Sequence, residues 1–492
     1  MPTIETLQRL GDKVCNDYLG FLPTSDSTKP PYIANNLFRF CTGETCKVTD
    51  IHDWIVSERR KGAVSSEQII QDYKDVFVSG EDETPANVKQ FRYLLDAIFN
   101  QDNTVYPDYG FSAYNISSHW LIKKSVPSDS GIGRFLFAIL SKEIDGKRSP
   151  AISLISEALK NDKDDLTKLI KPIIAFPSEE EKRIVDSIDY PEDSEIVWDE
   201  LKAKIREGFD ILAENIIKSG EDKNTLLVLE RIISYAGFSA YWYLSNAISA
   251  RYNKKLTPML FDSGIDSEAI KQASAQSFVN AKKSVEDFFT LALNDILSEE
   301  VTTDSKQACK RWIDEMSYSS TERETRIAPA INKYFESYCD EEDSAIYALA
   351  RALQNAIYAY KNKSITPSDF LKVVGNRCGL IGPRGNRAVK RYFINSFTLE
   401  TITLSAVSND LLEDGIEYKE LAEMLMRKYN IMLGVNIEEE YELLQEKNIV
   451  QNTPGDLRGD LSLNARSFAD MFIAIGMGKK YADGVTLIGR RL

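Results

Sequence analysis

The chain has 492 residues, with 60 Lys plus Arg against 75 Asp plus Glu, a net charge of −15, and 43% hydrophobic and 27% charged residues. That length supports about two to four domains, each with its own core, and the composition excludes wholesale disorder. The charge excludes a general coat for nucleic acid or a membrane surface, which needs positive potential over a broad face, so any nucleic-acid contact is expected to be local.

The opening MPTIETLQRLGDKVCNDYLGFLP has no basic stretch followed by an apolar one, and so does not read as a secretory signal. No window approaches the roughly 20 apolar residues that span a bilayer, and no membrane partner is expected. The cysteines Cys15, Cys41, Cys46, Cys309, Cys339 and Cys378 are scattered, which suits reduced thiols and a cytoplasmic location.

Residues 1–150 read as a mixed α/β region. A short helix over 5–19 precedes the polar loop PTSDSTKPP, and Leu37, Phe38 and Phe40 then alternate with polar residues, predicting an extended segment that leads into a helix capped by Asp50. Cys41, Cys46 and His52 are spaced Cys-x4-Cys-x5-His with no second close pair, so they read as loop residues and no metal is expected. His52 and His119 are the two histidines of the chain, too few to assemble a Ser-His-Asp or Cys-His arrangement from sequence. SDSGIGRF, residues 128–135, has a phosphate-loop look but lacks the lysine and hydroxyl of that motif, and reads as a helix-entry turn. No cofactor is expected.

Residues 151–369 read as a helical bundle or superhelical body. Leu201, Ile205, Phe209, Leu212 and Ile216 recur at helical spacing before Gly220. The next helix, NTLLVLERIISYAGFSAYWYLSNAISARYN, is apolar on most sides and is expected at the buried centre. Further helices are predicted over 266–297 and 304–316, in TRIAPAINKYFESYC and in SAIYALARALQNAIYAYK. The acidic runs at 178–182 and 340–343 read as solvated faces.

Residues 370–397 are a basic connecting segment: FLKVVGNRCGLIGPRGNRAVKRYFINSF carries Lys372, Arg377, Arg384, Arg387, Lys390 and Arg391 and no carboxylate, and the carboxylate-free stretch continues to Leu399. Such a glycine-punctuated loop serves either as a phosphate grip or as a hinge whose arginines pair with an acidic surface. In the last unit, 398–492, helices are predicted over 399–412, 416–430, 436–448 and 463–475, with VTLIG as a final strand.

Three helices followed by short extended segments resemble a winged-helix domain, over roughly the last 95 residues. In DNA-binding members of that class the third helix enters the major groove, but here 436–448 carries Glu438, Glu439, Glu440, Glu442 and Glu446 against Lys447, which favours protein docking. The nucleic-acid candidates are therefore Arg377, Arg384, Arg387, Lys390 and Arg391, joined by Lys479 and Lys480 near the expected wing. A helical body, the seam GPRGNRAVKRY and a terminal unit with KYADGVTLI also resemble accessory proteins of bacterial anti-phage defence islands.

The resemblance implies a non-enzymatic adaptor in a multi-protein DNA-acting complex, its partners being other protein subunits and, through a local basic patch, duplex DNA. Two alternatives stay open. One is a DNA-binding regulator using 377–391; the other is a nuclease or nucleotide-dependent factor with a site in the N-terminal region, where Asp50 and Asp53 are candidate carboxylates.

Overall fold

The computed structural model describes residues 7–23, 28–42, 129–160, 191, 197–316, 318, 327–360, 366–383, 389–450, 457–482 and 484–490. Asp50, Asp53, Cys46, His52, His119, Arg384, Arg387 and the acidic run at 178–182 lie outside them. The described chain is mainly helical. No helix among the described residues is long and apolar enough to cross a membrane.

The N-terminal part supplies α1 (Leu7–Lys13), continued by a π-helical segment (Val14–Leu19), then α2 (Pro30–Thr42), α3 (Ile132–Ser141) and α4 (Pro150–Lys160). Leu37, Phe38 and Phe40 are helical, not extended as the sequence alternation predicted. Prolines fit a first helical turn, and Ile33, Ala34, Leu37 and Phe38 form a buried stripe at helical spacing that packs on α3. Three residues of apparent alternation are too few to set a period against that stripe. At the entry to α3, the Asp129 carboxylate accepts hydrogen bonds from the backbone N–H groups of Gly131 (2.9 Å) and Gly133 (3.0 Å). The chain's own carboxylate thus takes the donors that a phosphate would need, as a helix-entry turn requires.

The body is built on α5 (Glu200–Ser219), α6 (Thr225–Tyr252) and α7 (Glu268–Glu300). Asp199, Asn224 and Ser267 cap their N-termini by accepting from Lys202, Leu227 and Ile270 N–H respectively, and left-handed Gly220 and Asn253 end the first two. Helix α6 is central: it packs against α2, α4, α5 and α7, and its apolar residues are buried around most of its circumference. Tyr235, Tyr241, Trp242 and Tyr243 are all within the core. Beyond α7 come α8 (Lys306–Glu315), α9 (Ile327–Cys339) and α10 (Ala345–Tyr360), the last lying against both α7 and α9. In the acidic run at 340–343, Glu341 and Glu342 both pair with Arg351.

The basic segment begins in α11 (Pro367–Arg377) and forms a short antiparallel pair, β2 (Ile381–Gly382) with β3 (Arg391–Tyr392); β1 (Met259–Leu260) lies upstream in the sequence. Then follow α12 (Ser396–Ala406), α13 (Asn409–Asp414), β4 (Ile416–Glu417), α14 (Tyr418–Tyr429), β5 (Ile431–Met432), α15 (Ile437–Glu446), α16 (Leu457–Ala474), β6 (Gly478–Lys480) and β7 (Thr486–Ile488). The helix predicted over 399–412 is two helices. Asn215 of α5 donates to the carbonyls of Leu404 (2.6 Å) and Val407 (2.8 Å) and closes the first of them. The helix predicted over 416–430 opens as a strand, because Ile416 pairs with Ile488.

One continuous apolar cluster runs from Leu7 through α6 to Leu425 and Ile488, so the segment after the basic loop is packed into the body. The parallel pair β1–β5 joins the two directly, with Met259 N–H donating to Asn430 O (2.9 Å) and Phe261 N–H to Met432 O (3.1 Å). Asn464 of α16 clamps the junction by donating to the carbonyls of Phe261 and Leu433.

Packing between α5 and α6 leaves no room for a side chain at Gly208: a Cβ there would lie 1.8 Å from the Tyr235 hydroxyl and 2.7 Å from that of Tyr429. Gly208→Ala is expected to destabilise the protein by about 3 kcal/mol, read as a lowered midpoint in urea unfolding; an unchanged midpoint would contradict this packing.

Candidate nucleic-acid interface

The basic segment is held at both ends. Thr366 caps α11 by accepting from Asp369 N–H (3.1 Å), and at the far end of that helix Arg377 donates to the carbonyl of Thr28 (2.6 Å), tying the segment to the N-terminal part. Lys390, just before β3, donates to the carbonyl of Pro383, just after β2. Burial, reinforced by nearby Lys372, lowers the Lys390 pKa.

Arg391 turns inward. Its Nε donates to Oδ2 of Asp262 at 2.5 Å, and the Asp262 side chain is fully buried while that of Arg391 is 18% exposed. The neighbouring Tyr392 is in the core; its carbonyl accepts from Asp262 N–H (3.0 Å) and from Ser274 Oγ (3.0 Å). A buried carboxylate needs a charged partner, and Arg391 supplies it. Arg377, Lys390 and Arg391 therefore all make intramolecular contacts, and the part of the segment holding Arg384 and Arg387 lies outside the described residues.

Lys479 and Lys480 are exposed on β6. That strand pairs antiparallel with β7, and β7 with β4, giving the order β4–β7–β6. The helix that runs directly into this hairpin is α16, not the acidic α15. On α16, Leu461, Ala465, Phe468, Ala469 and Phe472 are buried and Arg458, Arg466 and Asp470 are exposed.

A groove of about 520 Å³ lies between α16, the start of α14 and the hairpin. Lys419, Arg466 and Lys480 bring cations to it, and Glu417 and Asp470 bring carboxylates. Of the residues singled out from sequence, Lys480 lines this groove, whereas Arg377, Lys390 and Arg391 do not. Lys419 and Arg466 escaped the sequence reading because single cations spaced along helices carry no local signal. Only the hairpin's return past α16 gathers them.

The acidic helix α15 has a structural task. Glu440 is buried and accepts from the backbone N–H groups of Gly434 (2.8 Å), Val435 (3.0 Å) and Asn436 (3.2 Å), closing the turn that leads into its own helix. Burial raises its pKa, against the lowering effect of those three donors. Glu438 pairs with Arg458, and Glu446 with Lys255 of the body. Among the described residues, no group of three or more His, Cys, Asp or Glu side chains is placed to hold a metal ion.

Removing the Arg391 guanidinium leaves Asp262 buried without its partner. Arg391→Ala is expected to cost about 3 kcal/mol of unfolding free energy, whereas Lys479→Ala, on an exposed strand face, is expected to change it by less than about 0.5 kcal/mol; chemical denaturation of the two variants makes the comparison. No known protein family, curated protein or solved structure matches this chain.

Proposed function

We propose that this protein is a non-enzymatic adaptor of a multi-protein DNA-acting assembly, of the anti-phage defence kind, which docks partner subunits through its helical body and a winged-helix-like C-terminal unit. The sheet order β4–β7–β6, with a helix leading straight into the β6–β7 hairpin, supports the winged-helix reading. The observation that carries the docking role is the groove between α16 and that hairpin. It is lined by both cations and carboxylates, a mixture that suits a mixed-charge polypeptide segment better than the uniform negative charge of a phosphate backbone. Exposed Leu463, Tyr481 and Val485 add apolar surface to α16 and the hairpin.

The test is purification from the native host under physiological salt, with wild type and Arg466→Glu/Lys480→Glu compared. Wild type is expected to bring down defined partner subunits and the double variant to lose them at unchanged melting temperature, since both side chains are exposed. A lone wild-type monomer, or partners retained by the double variant, overturns the reading.

A second reading, direct contact with duplex DNA, is favoured by the adjacent exposed pair Lys479 and Lys480. On that reading, the slope of log affinity against log salt falls by about one unit for each phosphate contact removed. Titrating labelled duplex with Lys479→Glu/Lys480→Glu and with Arg384→Glu/Arg387→Glu measures it; binding equal to wild type in both removes DNA from the list of partners.

A further inference from the structure

A second cavity, of about 340 Å³, lies where the π-helical segment, the start of α5 and the end of α6 meet. Its volume is that of a small-molecule site, and the docking role above makes no use of it. Phe135 and Tyr243 line it, with ring centroids 4.8 Å apart, and so do Tyr18 and Trp198. The wall that carries Tyr18 is a π-helix, a rare form concentrated at functional sites. It stops at Gly20, whose φ is +93° and whose added Cβ would come within 3.0 Å of the Phe135 ring, so backbone and ring are in direct apposition.

The rings already face the protein's own cations. The Lys202 ammonium is 4.9 Å from the Tyr243 centroid, the Arg251 guanidinium 4.5 Å from that of Tyr18, and the Lys142 ammonium 5.4 Å from that of Trp198. An aromatic cage occupied in this way does not select a cationic ligand. Lys202 is buried and donates to the Tyr243 hydroxyl (2.8 Å) and to Asp199, which leaves one ammonium hydrogen without an acceptor among the described residues. Burial lowers its pKa, against the pull of Asp199. Asp199 is committed three times, to that ammonium, to the Lys202 N–H at the helix cap and to the Tyr243 hydroxyl, which donates to it at 3.4 Å.

Two lining residues carry a charge that no ion pair among the described residues offsets. Arg251 is exposed, lies over the Tyr18 ring and hydrogen-bonds to that side chain, which leaves other guanidinium N–H groups for a ligand, and Asp17 is exposed as well. One cation and one carboxylate outside any ion pair, on the lining of an aromatic pocket, match a ligand that carries both charges. A polyanion such as a nucleotide would meet Asp17 and Asp199 as well as the cations.

We propose that this pocket binds a free α-amino acid with an aromatic or large apolar side chain. Its carboxylate is taken by Arg251 and the spare hydrogen of Lys202, its ammonium by Asp17, and its side chain by the rings of Phe135 and Trp198.

The full-length protein is titrated with L-phenylalanine, L-tryptophan and L-leucine by calorimetry and thermal shift, with N-acetyl-L-phenylalanine, L-phenylalaninamide and AMP as controls. At least one free amino acid is expected to bind saturably and raise the melting temperature. Acetylation or amidation is expected to weaken that binding about tenfold or more, and Arg251→Gln and Asp17→Asn to do the same, each removing one charge-assisted contact. Both variants alter exposed side chains, so their unliganded melting temperatures are expected to equal that of wild type. Failure of all three amino acids at millimolar concentration overturns the proposal. So does an affinity that both variants leave unchanged, or AMP binding more tightly than any of the three.

Discussion

The architecture depends on a row of polar aromatic side chains buried along α6. Tyr235, Tyr241, Trp242 and Tyr243 each bring a large apolar ring and one hydrogen-bonding group into the core, and such a group is costly to bury without a partner. The partners come from distant parts of the chain. Trp242 Nε1 donates to the Tyr429 carbonyl (2.9 Å), the hydroxyls of Tyr235 and Tyr429 share a hydrogen bond (2.8 Å), and Tyr241 donates to the Tyr392 hydroxyl (3.0 Å). Burial pushes all these phenols far above their ordinary range, so they remain neutral donors at any physiological pH.

Because two of those partners, Tyr392 and Tyr429, lie in and beyond the basic segment, the C-terminal part is drawn onto the body. The same constraint explains why Arg391 turns inward. For Tyr392 to reach Tyr241, β3 must enter the core, and Arg391 beside it is then placed against buried Asp262. Further ties follow the same direction: Arg231 bonds to both Glu221 and Glu400, and Arg490 donates to the Asn215 carbonyl. Charge along this junction serves cohesion. The exposed, mixed-charge surface is left to α16 and the hairpin, and Arg251 and Asp17, which form no ion pair among the described residues, to the cavity near the end of α6.

Much of the helical body was legible in the amino-acid order. The spacing of Leu201, Ile205, Phe209, Leu212 and Ile216 and the Gly220 stop mark α5, and the all-round apolar character of α6 marks it as central, because helical period and burial are written into local composition. Errors fell where the period is short or a distant contact overrides it. Leu37, Phe38 and Phe40 show too few repeats to separate helix from strand, and the break near Val407 depends on Asn215, nearly two hundred residues upstream.

The functional surfaces were less legible for the same reason. Lys480 was visible as one of a basic pair, but Lys419 and Arg466 become its neighbours only when the β6–β7 hairpin folds back past α16. Nor does any local pattern predict that Tyr18, Trp198 and Arg251 share one cavity. The amino-acid order by itself determined the helical class, the central helix and the concentration of charge between 370 and 397, since each is a property of neighbouring residues. The tertiary structure alone decided that Arg377 and Arg391 are bound inward, because their partners, Thr28 and Asp262, lie more than a hundred residues away in the chain.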